Sequence, residues 1–225
     1  MKETGLNETK EITTPKIENY KEIHPQKGMT FENAKTYWNN LFSGKLDKEI
    51  RTKYEEEAVK HMPAEGFRGK YVDDGKTEKY VPKDSTEAGK ACIEKLKEYG
   101  LDGIEYKNFE PDFSKVSEGT VKINHMSENR HDYYDENGMR QEGNYTQADK
   151  KCAKLWNIQK KGGRTDWTEK EVDKWRHNPE HHCIWHETSD AKTMNLVPEE
   201  IHKFFTHAGG VVMCKIRDGG NKFDD

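Results

Sequence analysis

The chain has 225 residues, of which 31% are hydrophobic and 36% are charged, and its mean hydropathy is -1.20. This hydrophobic fraction is low for a chain of 225 residues that folds around one compact core, so part of the chain is expected to stay outside the core. The net charge of -4 argues against a generally basic nucleic-acid binder, and no apolar run approaches the roughly 18 residues that a membrane helix needs.

The segment 1–28 is expected to form a flexible lead. Its few Ile, Leu and Tyr residues are isolated among Lys, Glu, Thr, Asn and Pro and follow no helical or strand period. It contains no apolar h-region, so no cleavable secretion signal is visible, and export would need a dedicated carrier.

Residues 29–110 are expected to form a mainly helical region. Periodic apolar residues predict three helices, at 30–42, 46–62 and 84–99. Asp84 and Glu87 resemble a capping box at the start of the third helix. Residues 66–81 predict a loop or hairpin, and residues 103–106 predict a short strand.

Residues 111–225 are expected to form a second domain with its core at 144–217. Its first predicted elements are a strand at 120–123, a loop at 130–144 and helices at 145–156 and 168–176. Thr168 and Glu171 form a capping box for the last of these helices.

The four cysteines of the chain are widely spaced and include no CxxC pair. They are Cys92, Cys152, Cys183 and Cys214. This spacing fits neither a zinc ribbon nor a dense disulfide framework, so we expect reduced thiols.

Residues 150–176, here called the basic stretch, concentrate positive charge. They contain nine Lys or Arg against four acids, an excess of +5 that could follow a phosphate backbone. The alternative is a pair of solvated helices with ordinary surface lysines. The candidate nucleic-acid contacts are Lys150, Lys154, Arg164 and Arg176.

The C-terminal part combines histidines with an ordered set of elements. Six of the ten histidines lie in the last 49 residues. The predicted order is a strand at 183–187, a turn at 188–192, a strand at 194–197, a helix at 198–206 and a strand at 211–216. His186 and Glu187 end the first of these strands, and His202 lies in the helix.

This arrangement suits hydrolysis of a phosphodiester. One divalent ion contacts the scissile phosphate and the leaving oxygen, while a base activates water from the opposite side. Ligands from a strand end and a helical turn can hold such an ion. Five helical residues separate His202 from His207 by about 140°, so both can bind one ion only if the helix ends before His207.

The run WHETSDAKTMNLVPEEIHKFFTHAGGVVMCK resembles the core of the HNH/endonuclease VII superfamily toxin domains that carry a Trp-His-His signature. The resemblance extends upstream through NYTQADKKCAKLWN and GRTDWTEKEVDKWR, covering 144–215, with a weaker echo at 111–123. It implies an α+β chain with a ββα-metal DNase domain of a bacterial polymorphic toxin. It also implies an immunity protein as partner and delivery by a secretion system into the target-cell cytoplasm.

The resemblance further implies a divalent ion, Mg²⁺, Zn²⁺ or Ni²⁺, held by His186, His202 and His207. This chain has Glu187 where the signature has its second histidine. Carried over, His186 would be a ligand and Glu187 the general base. In the other assignment His186 is the base and Glu187 a ligand.

Two other functions stay open at this point. An RNA-cleaving toxin nuclease would use the same phosphate chemistry. A non-catalytic interaction module would use the histidines for a structural ion or for none.

Overall fold

The computed structural model describes residues 45–73 and 78–218. Helices and small antiparallel sheets build an α+β fold, which confirms the predicted fold class. The predicted flexible lead and the predicted helix at 30–42 lie outside the described residues. Within them, no helix has the length and apolar character needed to cross a membrane.

The described residues before position 112 contain two helices and one sheet. These elements are α1 (Lys45–His61), β1 (Gly69–Asp73), β2 (Glu78–Pro82), α2 (Glu87–Glu98), β3 (Ile104–Lys107) and β4 (Glu110–Pro111). The strands form one antiparallel sheet in the order β1-β2-β3-β4. The predicted helix at 46–62, the hairpin within 66–81 and the strand at 103–106 are thus confirmed.

The helices hold more residues of this region than the strands do, in line with the expected helical character. The predicted hairpin and strand are parts of a four-stranded sheet, which the sequence did not show as a whole. One expectation for this region needs correction. In α2 the cap is Thr86, whose side chain accepts from the Gly89 N–H, and not Asp84.

The remaining elements surround a second sheet. They are a 3₁₀ turn at Phe113–Val116, β5 (Gly119–Lys122), β6 (Tyr133–Tyr134), β7 (Arg140–Gln141), α3 (Asn144–Gln159), α4 (Glu169–Arg176), β8 (Cys183–Glu187), β9 (Thr193–Pro198), α5 (Glu199–Phe204) and α6 (Gly210–Arg217). β5, β9 and β8 pair antiparallel in that order. The predicted loop at 130–144 contains the small β6–β7 hairpin. The capping box of Thr168 and Glu171 is confirmed at α4.

The strand predicted at 211–216 is wrong, because these residues form helix α6. Two adjacent valines favour a strand by local propensity, but tertiary packing decides here. Cys214 and Ile216 are buried, and Ile216 packs with Ile50 and Tyr54 of α1. As a helix, the segment turns Cys214 into the cluster around the second sheet and Ile216 towards α1.

Three hydrophobic clusters form the interior. One fills the space between the β5-β9-β8 sheet and helices α3 and α4, with Trp156 and Trp185 fully buried. A second joins the first sheet to α5, because Tyr80 and Ile104 pack in one cluster with Ile201. Residues on both sides of the predicted boundary at 110/111 therefore share a core. All four cysteines are buried and free, as predicted.

Candidate metal centre and active site

Three histidines from different elements converge beside the end of β8. His186 lies in that strand, His202 in α5 and His207 in the segment after it. One ring nitrogen of each lies within 4.8 Å of the others, and we call these residues the histidine cluster. Helix α5 ends at Phe204, so the chain turns before His207 and brings it back to His202. The helix thus ends before His207, which is the condition under which His202 and His207 can bind one ion.

Two ring nitrogens of the histidine cluster, one in His186 and one in His207, are available to bind an ion. His186 is only 1% exposed, and its Nε2 has no hydrogen-bond partner within the described residues. Such a buried orphan nitrogen is costly unless something coordinates it. His207 Nδ1 lies 2.7 Å from the Phe205 carbonyl oxygen, which can only accept, so this nitrogen donates and the Nε2 lone pair is left free.

Burial keeps two of these imidazoles neutral. Burial, reinforced by the neighbouring histidines, lowers the pKa of His202 to about 2. Burial and the nearby His186 lower the pKa of His207 to about 3. Phe113 supplies apolar surface, with its ring centroid 4.9 Å from that of His186. Neutral imidazoles in an apolar setting are the form that binds a transition ion, so the residues present fit a divalent metal.

Glu187 faces away from the histidine cluster. Neighbouring strand residues point to opposite sides, and β8 keeps regular pairing through Glu187. The carboxylate is 4% exposed and accepts hydrogen bonds from Arg130 Nε at 3.3 and 3.4 Å and from Asn144 Nδ2 at 3.5 Å. Gly209 allows a close backbone approach, because a Cβ there would lie 2.8 Å from the Glu187 carbonyl oxygen.

Arg130 was missed by the sequence analysis. Its side chain is 53% exposed while it holds the buried Glu187, and its charge contributes to the lowered pKa of both His202 and His207. A half-exposed guanidinium therefore lies at the edge of the histidine cluster. The residue sits in a polar segment predicted as a loop, where no local pattern distinguishes it from other surface arginines.

Glu110 was also missed. Its carboxylate accepts hydrogen bonds from the Ser189 N–H at 2.9 and 3.2 Å and from the Ser189 hydroxyl at 2.6 Å. Its Oε1 lies 3.4 Å from His186 Nε2. Glu110 and Ser189 are 79 positions apart, so only the fold brings them together.

The part of the chain that contains the histidine cluster is similar to a known protein family. Residues 103–209 match the family model of the DNase/tRNase domain of colicin-like bacteriocins. This match supports a nuclease toxin domain, and the matched segment contains the whole histidine cluster. No curated protein and no solved structure matches the chain.

Within the colicin-like segment, the basic stretch offers fewer free cations than its composition indicates. Lys150 pairs with Glu142 and lies 3.7 Å from Glu169. Arg164 pairs with Asp166 at 2.8 Å and with Glu171. Lys154 is exposed and pairs with no acid of the described chain.

Arg176 does not agree with its predicted role as a phosphate contact. It is 6% exposed, and its guanidinium lies 3.3 Å from Asp149 and 2.5 Å from Asp173. Asp149 also accepts a hydrogen bond from Trp185 Nε1 at 2.8 Å. Arg176 therefore ties α4 to the core beneath β8, because a buried guanidinium needs such partners.

Proposed function

We propose that this chain is a metal-dependent endonuclease that hydrolyses phosphodiester bonds in DNA and acts as an antibacterial toxin. One observation carries the proposal: three imidazoles, one of them with a buried and unpartnered nitrogen, converge within the colicin-like segment. Three nitrogen donors with room for a further ligand are typical of catalytic metal sites.

His186, His202 and His207 would hold the ion. Zn²⁺ and Ni²⁺ suit imidazole donors better than Mg²⁺, which prefers oxygen. A bound divalent ion supplies a Lewis acid that polarises a phosphate oxygen and stabilises the leaving oxygen. The hydrogen bond from His207 Nδ1 to Phe205 keeps the other ring nitrogen deprotonated and oriented.

Glu187 is the general base in this proposal. The supporting observation is that the structure groups His186, and not Glu187, with His202 and His207 in the described residues. The Glu187 carboxylate lies on the side of β8 opposite His186, so in this proposal it takes the proton of a water that attacks the phosphate from the side opposite the ion. Arg130 holds that carboxylate through Nε and has further N–H groups for a non-bridging phosphate oxygen.

DNA is the proposed substrate, and Lys150, Lys154 and Arg164 are proposed to contact its backbone. Cleavage of tRNA is a second candidate, because the matched family model covers both DNase and tRNase domains. From the likeness to bacteriocin nuclease domains, we also propose that the chain has a cognate immunity protein as its partner and is delivered into a target cell.

The test is a metal add-back assay on the full chain. Protein stripped with a chelator should neither nick plasmid DNA nor cut tRNA. Adding back Zn²⁺, Ni²⁺ or Mg²⁺ separately should restore plasmid nicking with at least one ion. Cleavage of tRNA without nicking of plasmid DNA would mean that the substrate is RNA. Undiminished cleavage by the stripped protein would contradict the proposal.

A further inference from the structure

One aromatic side chain packs against all three imidazoles of the histidine cluster. Phe113 is fully buried and lies in the 3₁₀ turn between β4 and β5. Its ring centroid lies 4.9 Å from that of His186, 5.7 Å from that of His207 and 5.8 Å from that of His202. The rings of His186 and His207 meet it nearly at right angles, at 86° and 76°, and the ring of His202 is tilted by 34°. All three distances lie within the range of favourable aromatic contacts.

Other aromatic rings hold Phe113 in place. The ring centroid of Phe205 lies 6.4 Å from that of Phe113, and that of Tyr80 in β2 lies 6.1 Å from that of Phe205. The Phe205 carbonyl oxygen also accepts the hydrogen bond from His207 Nδ1. Tyr80 precedes the residues 103–209 that match the family model, so the first sheet supports this packing from outside the colicin-like segment. Close packing of this kind leaves the imidazoles beside Phe113 little freedom to rotate.

We propose that Phe113 is a positioning residue, which holds the imidazoles of His186, His202 and His207 in place for a divalent ion. This inference rests on the proposed function, since it needs an ion at the histidine cluster. Ligands that are already ordered lose less side-chain freedom when the ion binds, and this strengthens binding. The hydrocarbon ring supplies no ligand atom, so the coordination position beyond the three nitrogens stays open for water or a phosphate oxygen.

The test measures metal binding and not cleavage. Zn²⁺ is titrated into the stripped full chain by calorimetry, and Co²⁺ is titrated by visible absorption. Phe113→Leu keeps an apolar side chain but removes the ring. We expect it to weaken Zn²⁺ binding by about tenfold or more and to change the visible Co²⁺ spectrum, because the imidazoles are no longer held in one arrangement. Phe113→Met, whose flexible side chain fills irregular space more readily, is a second variant and should act in the same direction.

Val116→Ala is the matched control. Val116 is fully buried in the same turn and in the same hydrophobic cluster as Phe113, but it has no ring to pack on the imidazoles. Its truncation should lower the stability of the fold and leave the Zn²⁺ affinity and the Co²⁺ spectrum unchanged. Circular dichroism of the stripped variants checks that each is folded.

Three results would overturn the role of Phe113. The first is a folded Phe113→Leu variant in which either the Zn²⁺ affinity or the Co²⁺ spectrum is unchanged. The second is an equal loss of affinity in Val116→Ala, since packing of the turn alone would then explain the effect. The third is loss of the fold in both Phe113 variants, because the ring would then be needed by the fold itself. A wild-type chain that binds neither ion would instead overturn the proposed function.

Discussion

The histidine cluster and the basic stretch both contain groups that suit a phosphodiester substrate, but their side chains are engaged differently. In the histidine cluster, the buried Nε2 of His186 has no hydrogen-bond partner in the described chain. In the basic stretch, Lys150, Arg164 and Arg176 already pair with acids. The histidine cluster therefore has a nitrogen that still lacks a partner, whereas three of the four candidate phosphate contacts of the basic stretch already pair with acids.

This difference shows which observation carries functional weight. A surplus of lysines and arginines is a property of composition, and neighbouring acids can neutralise it locally. An unpartnered nitrogen in the interior is a property of the fold and is costly unless a ligand compensates. The histidine cluster is therefore the stronger site.

The largest effect should come from the cluster. His202→Ala removes one proposed ligand, so metal-dependent plasmid nicking should fall by about three orders of magnitude or more. His177→Ala is the control, because His177 is exposed at the end of α4 and lies 3.3 Å from Asp173, outside the histidine cluster. Near-normal nicking by His202→Ala in a folded protein would remove α5 from the metal site.

Arg176→Ala should act on stability. Removing this buried guanidinium leaves Asp149 without its cation, and we expect a loss of about 3–5 kcal/mol in the free energy of unfolding. Urea denaturation measures this loss. Stability within about 0.5 kcal/mol of the wild type, together with weaker DNA binding, would restore Arg176 as a surface contact.

Glu187→Gln should lower the cleavage rate by about two orders of magnitude while Zn²⁺ affinity stays unchanged, as for loss of a general base. Glu187→His, which restores the residue of the Trp-His-His signature, should recover part of the rate because imidazole titrates near neutral pH. If excess metal rescues Glu187→Gln, then Glu187 is a ligand and His186 the base.

The smallest effect should come from the basic stretch. Lys154→Gln should reduce DNA affinity a few-fold and lower the salt slope of binding by about 0.9, the value for one phosphate contact. Lys150→Gln should change both less, because Glu142 already neutralises Lys150. Equal effects of the two changes would mean that the ion pair opens when DNA binds.

Local signals predicted several elements correctly. The capping box of Thr168 and Glu171 and the short strands at β3 and β5 depend on nearby residues alone, and the structure confirms them. The residues at 211–216 were mistaken for a strand because contact with α1, far away in the chain, decides their conformation. The same limit applied to the first sheet, whose order depends on pairing between strands.

Some residues of the candidate site could likewise be found from the sequence, and others could not. The three histidines were selected by element order and resemblance, and the structure brings them together; their role as ligands stays a prediction. Glu110 and Arg130 carry no local signal, since each is recognisable only by the partner that the fold supplies. The burial of Arg176 was equally hidden, because a periodic helix pattern does not show which arginine meets a buried acid.

The most direct test of the histidine cluster is a crystal structure of the full chain grown with Zn²⁺, with diffraction recorded at the zinc absorption edge. We predict one strong anomalous peak about 2.0–2.1 Å from a ring nitrogen of each of His186, His202 and His207. A zinc peak bound elsewhere, with these three imidazoles uncoordinated at saturating Zn²⁺, would contradict the account.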